Sequence, residues 1–545
     1  MQNNTQNINN SNKGNVPNSN LQNNGSDDNA KNNGATIFTF GCRLNIAESE
    51  SIRIALNQSQ SDVNNLAVFN SCAVTANAEK ELITKIKQYK KKNPNIKIVV
   101  TGCAAQINPQ KYAKMPEVSA VIGNQEKTTS SAFDFILSNQ SQAEQKSEQK
   151  SGQKLAKQES LTIANADSRI LAEEKIVNHS HNNLHQDRNF TKNHHRELLN
   201  SNEEAKILVN DIMSVRDTAP QLVSYFDNKT RAFLEIQNGC NHRCTFCIIP
   251  YGRGNSRSVA FGEIIDRAEK MILAGHNEIV LTGVDITDYG KDLPSPLNLT
   301  QMLRRMLKLL PQLKRLRLSS VDVAELGEDF CSLLAEEPRL MPYLHLSVQS
   351  GDDLILKRMA RRHNRKQIVD FCNLAKKARP EIAFGADIIA GFPTEDDLAF
   401  NNSLSLIGEI PLVYGHIFPY SPRSGTPAAK MPQLPKDIIK KRASLMRLEV
   451  AKNLDIFLEK QIGGRLEILV EQGKITKNNK VAEGKIIGRA ANFATVVVDL
   501  IQEENKKALE ALPEKNLTEQ DLSGKFIKVE ICNYKSGKLF GKIIN

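Results

Sequence analysis

The sequence predicts an α/β protein in three successive parts: an N-terminal parallel α/β domain, a partial TIM-like (βα)6 barrel, and a small C-terminal β-barrel. Three observations carry that expectation. Short apolar runs at residues 36–42, 66–72 and 96–103 alternate with helical patterns, the arrangement that builds a parallel sheet. Roughly six further strand-and-helix units fit between residues 231 and 418. From residue 463 the chain changes to short β-like runs at 466–470, 481–487, 495–500 and 526–531, separated by turns, as in small barrels. A chain of 545 residues is too long for one core and suits about three or four domains.

Taken in order, residues 1–33 form a disordered Asn-rich tail, with too few large apolar groups to offset the entropy of ordering. The tail lacks the apolar run and cleavage site of a signal peptide. Nowhere do about eighteen apolar residues run together to span a membrane. Nine cysteines, an odd number without a pairing pattern, argue against a secreted disulfide scaffold and for a reducing cytoplasm. The formal charge of +11 permits a nucleic-acid partner but decides nothing alone over this length. Residues 34–137 then make the N-terminal domain, and 138–205 read as an inserted low-complexity linker. Its five histidines (His179, His181, His185, His194 and His195) fit a solvated segment better than a metal tract, because nothing apolar would fix ligand geometry. The barrel, with an approach segment and an exit helix, takes 206–460, and the last domain takes 461–545.

The chemistry concentrates in Gly239-Cys240-Asn241-His242-Arg243-Cys244-Thr245-Phe246-Cys247. Cys-x3-Cys-x2-Cys spacing lets one short loop place three thiolates on one inorganic cluster, and three ligands leave one iron of a four-iron cluster open. A zinc site or redox cysteines compete, but zinc ligands usually come as Cys-x2-Cys pairs with longer gaps. Cys42, Cys72 and Cys103 each end one of the first three strand-like runs. Ligands gather outside the carboxyl ends of parallel strands, so these thiols are expected to converge at one sheet edge. Three buried apolar cysteines are the competing reading. Recurrence at one structural position favours a second cluster.

The spacing of Cys240, Cys244 and Cys247 resembles the signature of the radical S-adenosylmethionine (SAM) superfamily. There the open iron chelates SAM, and one electron cleaves it to methionine and a 5'-deoxyadenosyl radical. Gly41-Cys42-Arg43-Leu44-Asn45, Asn70-Ser71-Cys72-Ala73-Val74-Thr75 and Thr101-Gly102-Cys103-Ala104-Ala105-Gln106 resemble the N-terminal domain of the methylthiotransferases of that superfamily. The likeness runs over residues 36–137 and from 207 to the end. It implies SAM as cofactor and two [4Fe-4S] clusters, one on Cys240, Cys244 and Cys247 and an auxiliary one on Cys42, Cys72 and Cys103. Gly252-Arg253-Gly254-Asn255-Ser256-Arg257-Ser258 and Leu281-Thr282-Gly283-Val284-Asp285-Ile286 are most similar to one branch of the family. That branch converts N6-threonylcarbamoyladenosine beside the tRNA anticodon to its 2-methylthio derivative. Branches acting on isopentenyladenosine in tRNA or on a ribosomal-protein aspartate are the alternative. The implied partners are the tRNA anticodon loop, an electron donor such as a flavodoxin or ferredoxin, and a sulfur donor. The implied state is a monomer.

Barrel active sites lie at the C-terminal strand ends. Gly283, Asp285, Ser347, Gln349, Asp387 and Gly391 fall there and are candidates to hold SAM, the glycines by close backbone approach. Turn chemistry and strand capping explain each about equally well. Arg253, Arg257 and Arg423 are candidates to bind a carboxylate or phosphate bidentately, with a surface role as the alternative. The last domain resembles the RNA-binding TRAM domain. Lys485, Arg489, Lys525 and Lys528 are then candidate phosphate contacts, or ordinary solvated side chains. Cys331 and Cys372 read as core thiols and Cys532 as structural.

Overall fold

The computed structural model describes residues 34–138, 206–216, 218, 230–472, 484–500, 502–510 and 522–544. The expected tail, and all but the first residue of the expected insert with its five histidines, lie outside the described residues.

Five parallel strands form the first sheet in sequential order: β1 (Thr36–Thr39), β2 (Leu66–Ser71), β3 (Lys97–Gly102), β4 (Ala120–Ile122) and β5 (Ile207–Leu208). Every residue of β2 is buried, as expected for a parallel strand covered on both faces. Helix α1 (Arg43–Asn57) covers one face, with Ile52, Ala55 and Leu56 on Ile37, Val68 and Val99. Helix α2 (Ala76–Lys92) covers the other, with Leu82 and Ile86 on Phe38, Phe69 and Val100. The Thr75 side chain caps α2 by accepting from the Ala78 N–H. Glu79 in its first turn and Lys90, Lys91 and Lys92 in its last suit the helix dipole. β5 comes from beyond the insert and pairs Ile207 with Val121, so the approach segment completes this sheet before the chain enters the barrel.

The barrel begins with β6 (Arg231–Glu235). The short strands β7 (Gln237–Asn238) and β8 (Arg257–Ser258) then form an antiparallel clasp around the cysteine loop. β9 (Glu278–Thr282), β10 (Arg315–Leu318), β11 (Tyr343–Gln349), β12 (Ala383–Ala390) and β13 (Leu412–Pro419) follow. β6-β9-β10 and β11-β12-β13 are two parallel sheets, joined by bridges from Leu316 to Leu340 and from Val321 to Leu346. The result is a partial six-stranded barrel, open between β6 and β13. Helix α1 packs against β6 at that opening, and its Ala47 joins the barrel core. The barrel strands alternate: Leu344, Leu346 and Val348 enter the apolar shell, so Tyr343, His345 and Ser347 face the lumen.

Helix Lys436–Glu459 leads out to β14 (Arg465–Gln472), β15 (Lys485–Ala490), β16 (Thr495–Asp499), β17 (Phe526–Lys535) and β18 (Lys538–Ile543). These close into a barrel in the order β14-β15-β16-β18-β17. Four strands are expected from the sequence, and β18 is additional. A two-residue turn creates it, with Ser536 at φ 51° and Gly537 at φ 72°, the left-handed pair such hairpins need. This barrel docks on the N-terminal strand ends of the larger one. Arg317 donates to the Ala490 and Ala491 carbonyls at 2.9 and 2.8 Å, Arg231 meets Glu471 at 2.9 Å, and Phe493 stacks on Tyr343 at 4.4 Å. Cys331 and Cys372 are buried, whereas Cys532, read as structural, is exposed. Among the described residues no helix is long and apolar enough to cross a membrane.

Candidate metal centre

Cys42, Cys72 and Cys103 stand together at the carboxyl ends of β1, β2 and β3. Cys42 caps α1, Cys72 follows β2, and Cys103 opens the helix Cys103–Ile107. Gly41, at φ 106°, makes the approach possible, since a Cβ there would lie 2.7 Å from Cys72 Cβ and 3.0 Å from its Sγ. Burial, then the neighbouring Cys103 and Cys42, pushes the Cys72 thiol up to about 12. Cys42 is exposed at the surface, yet desolvation by the surrounding residues raises its thiol as well, with Arg253 opposing. Thiols that hinder one another's ionisation fit a metal site, because bound metal cations deprotonate them and reverse that balance.

The second set sits on the loop between β7 and β8. Gly239 is irreplaceable there: at φ 73°, a Cβ would lie 1.9 Å from the Asn255 carbonyl oxygen. The Gln237 amide donates to the Gly239 carbonyl at 2.7 Å and to Ser256 Oγ at 2.9 Å. The Thr245 N–H reaches the Met359 carbonyl at 3.1 Å. Burial and then Asp285 push Cys240 up to about 12, and burial pushes Cys247 up to about 11. Arg361 donates to Cys244 Sγ at 3.5 Å, to Asp322 at 2.7 Å and to the Ser347 carbonyl at 2.9 Å. Burial works against the Asp322 carboxylate, yet His363, Arg361 and Arg362 hold it well below the usual range. All six cysteines are free thiols.

The two sets face each other across the domain junction. A Cβ on Gly252, just past the loop, would lie 3.2 Å from Cys103 Cβ. Arg253 reaches Glu48 of α1 through Nη1 at 2.7 Å and Nη2 at 3.0 Å, and Asn45 at 2.8 Å. Lys127 donates to the same Glu48 at 2.7 Å. Asn124 donates to the Gly252 carbonyl at 2.5 Å. Burial opposes ionisation of Glu48, but Arg253 and Lys127 bring it down to about 2. Beside it, burial and the Glu48 charge raise Glu235 to about 7. Arg253 thus does bind a carboxylate bidentately, but that of Glu48. Arg257 is used on the Asn255 and Arg253 carbonyls, and Arg423 on Glu79.

The candidate SAM residues divide in two. Asp285 lies by the cysteine loop, 3.5 Å from His242 Nε2 and accepting from Arg362 at 3.0 Å, with Gly283 packed 2.7 Å from the Gln237 carbonyl oxygen when given a Cβ. Ser347 joins this group through Arg361, and Gln349 ends β11 at φ 68°. Asp387 lies in the lumen, where its Oδ1 meets His345 Nε2 and His416 Nδ1, each at 3.0 Å. Tyr343 Oη meets His345 Nδ1 at 2.9 Å. The register explains the cluster, because Gly385 pairs with His345 and Asp387 with His416. Gly391 packs on Ile439 of the exit helix, and its N–H donates to Glu395 at 3.0 Å. In the C-terminal barrel Lys485 and Lys528 are exposed and Lys525 is half-buried. Arg489 instead turns to Glu471 at 3.1 Å.

Tyr343, His345, His416 and Arg361 are site residues that sequence reasoning missed. A signal existed in Tyr343-Leu344-His345-Leu346-Ser347-Val348-Gln349, where every second residue is polar. A strand buried in a parallel sheet is otherwise near-continuously apolar.

Residues 234–407 match the family model of the radical SAM superfamily, and residues 35–123 match that of uncharacterized protein family UPF0004. The chain is 46% identical over 439 residues to a threonylcarbamoyladenosine tRNA methylthiotransferase MtaB from Rickettsia prowazekii, covering 81% of this chain and 88% of the relative. It is 31% identical to the MtaB of Aquifex aeolicus, covering 81% and 94%. A tRNA-2-methylthio-N(6)-dimethylallyladenosine synthase from Clostridium botulinum is 28% identical, covering 93% and 96%.

Proposed function

Because the chain belongs to the MtaB family of threonylcarbamoyladenosine tRNA methylthiotransferases, radical SAM enzymes with two [4Fe-4S] clusters, we propose that its two cysteine triads are the ligand sets of those clusters. The enzyme converts N6-threonylcarbamoyladenosine in tRNA to 2-methylthio-N6-threonylcarbamoyladenosine. Cys240, Cys244 and Cys247 hold the SAM-binding cluster, and Cys42, Cys72 and Cys103 hold the auxiliary one. When bound, SAM and the clusters supply the radical, the methyl group and the sulfur of the transfer. The observation that carries the assignment is the facing of the two triads across one junction, with Gly252 against Cys103.

The protein's own groups then have definite tasks. Arg361 places a cation against Cys244, offsetting the negative charge of a thiolate-ligated cluster. Arg253, Lys127 and Glu48 clamp the loop to α1, so that both triads keep one spacing. Asp285, Ser347 and Gln349 hold SAM beside the loop, with Gly283 and Gly391 shaping the strand ends, while Asp387 serves the lumen. The barrel shields the reacting carbon from water. The C-terminal barrel is TRAM-like, and Lys485, Lys525 and Lys528 grip RNA phosphates without reading sequence. Arg489 braces the joint between the barrels through Glu471. The tRNA presents the base from its anticodon loop, where unstacking is easiest. A flavodoxin or ferredoxin supplies electrons, a separate donor replenishes the sulfur, and the enzyme works as a cytoplasmic monomer.

Mass spectrometry of tRNA nucleosides from a host lacking such enzymes, with and without this gene, tests the reading. A new methylthio group on threonylcarbamoyladenosine is expected. Its appearance on dimethylallyladenosine instead, or no change with both clusters present, would overturn it.

A further inference from the structure

Arg43 is the first residue of α1 and follows Cys42 directly. It is half-buried, and its guanidinium lies within electrostatic reach of Tyr343, Asp387, Arg231 and Arg489. Because α1 packs against β6 at the open side of the barrel, and Tyr343 and Asp387 belong to the lumen strands β11 and β12, the guanidinium stands at the lumen wall beside that opening. The one carboxylate within its reach is already engaged. Asp387 accepts from His345 and His416. Its cationic neighbours Arg231 and Arg489 share Glu471, at 2.9 and 3.1 Å. Among the described residues Arg43 alone of these lumen arginines makes neither a hydrogen bond nor an ion pair. Half-burying an unpaired guanidinium beside other cations is unfavourable, and a ligand anion would offset that cost in affinity.

We propose that Arg43 binds the threonyl carboxylate of the modified adenosine and so selects that nucleoside over ones with a neutral N6 substituent. This rests on the substrate assignment above. The chemistry matches in three respects. The N6 group of threonylcarbamoyladenosine ends in a carboxylate, whereas a dimethylallyl group carries no charge. A guanidinium binds a carboxylate through two parallel N–H donors. The adjacent residue, Cys42, belongs to the auxiliary triad, so a carboxylate held on Arg43 brings the base to the side of the lumen where that triad lies. His416 supports the same wall: Asp387 takes its Nδ1, leaving Nε2 without a partner among the described residues and available to the threonyl hydroxyl or carboxylate.

The test compares binding of three fluorescent anticodon stem-loops by cluster-loaded enzyme, carrying at position 37 threonylcarbamoyladenosine, dimethylallyladenosine or plain adenosine. Wild type is expected to favour the threonylcarbamoyl loop by about tenfold or more, the worth of a charge-assisted pair. Arg43→Gln should abolish that preference while leaving the plain loop's affinity and the affinity for SAM unchanged. Four outcomes would overturn the proposal: a preserved preference, an equal loss on all three loops (a phosphate contact), a loss of SAM affinity with the loop preference intact, or no wild-type preference. The last would also overturn the substrate assignment, and the first three would leave it standing. If Arg43→Gln fails to retain iron, Arg43→Lys decides. That variant keeps the charge but not the fork, so a reduced preference supports the proposal and an unchanged one overturns it.

Discussion

Cys240, Cys244 and Cys247 are gathered by eight residues of one loop, whereas Cys42, Cys72 and Cys103 meet only after three parallel strands have paired. The loop triad is held locally, by the left-handed turn at Gly239 and the amide of Gln237. The strand triad is held by the whole sheet, so its geometry depends on the core that α1 and α2 bury. That difference predicts which changes damage one centre and spare the other.

The largest effect belongs to Cys244→Ala, which should reduce methylthiolated nucleoside to background while the auxiliary cluster's iron remains. Product analysis beside iron quantification checks this, and normal product would remove the loop triad from catalysis. Next comes Gly41→Ala. It forces a Cβ to 2.7 Å from Cys72 and a strained φ costing about 1–3 kcal/mol, so iron should be lost from the strand triad only. Gly239→Ala is the mirror experiment and should lose only the loop triad's iron.

Glu48→Gln attacks the clamp between the two regions. It leaves Arg253 and Lys127 buried without their anion, and breaking such a pair costs about 3–5 kcal/mol, readable as a lower urea midpoint. The pH dependence is smaller and has two signs. Glu48, brought down to about 2 from 4.5, adds stability that is full above pH 4.5 and is lost as pH falls toward 2. Glu235, raised to about 7 from 4.5, does the reverse: the folded state holds its proton longer, so stability falls as pH rises from 4.5 to about 7. Glu235→Gln should therefore flatten the decline in melting temperature over that upper window and leave the acid limb unchanged.

The contrast between the triads also measures what was legible beforehand. Cysteine spacing exposes the loop triad without any fold. The strand triad is legible because the apolar runs of β1, β2 and β3 each stop at a cysteine, and a parallel sheet aligns such ends. The polar lumen was not legible in the same way. Asp387 is expected at a strand end but sits within β12, and its partners His345 and His416 come from neighbouring strands that only register brings together. Arg253 looks like a ligand-binding arginine by type and position, yet its carboxylate is on α1, 205 residues earlier. Nothing local distinguishes it from Arg43, whose lack of a partner among the described residues is a property of the assembled barrel. Likewise β18 hides behind a Ser-Gly turn that the strand pattern alone does not flag.

The most direct test of two independently built centres is iron quantification, with reduced-state electron paramagnetic resonance, on two triple variants. One carries Cys240→Ala, Cys244→Ala and Cys247→Ala, and the other carries Cys42→Ala, Cys72→Ala and Cys103→Ala. Each should keep half of the wild-type iron, and the two spectra should sum to that of the wild type. Loss of all iron, or of none, in either variant would contradict the account.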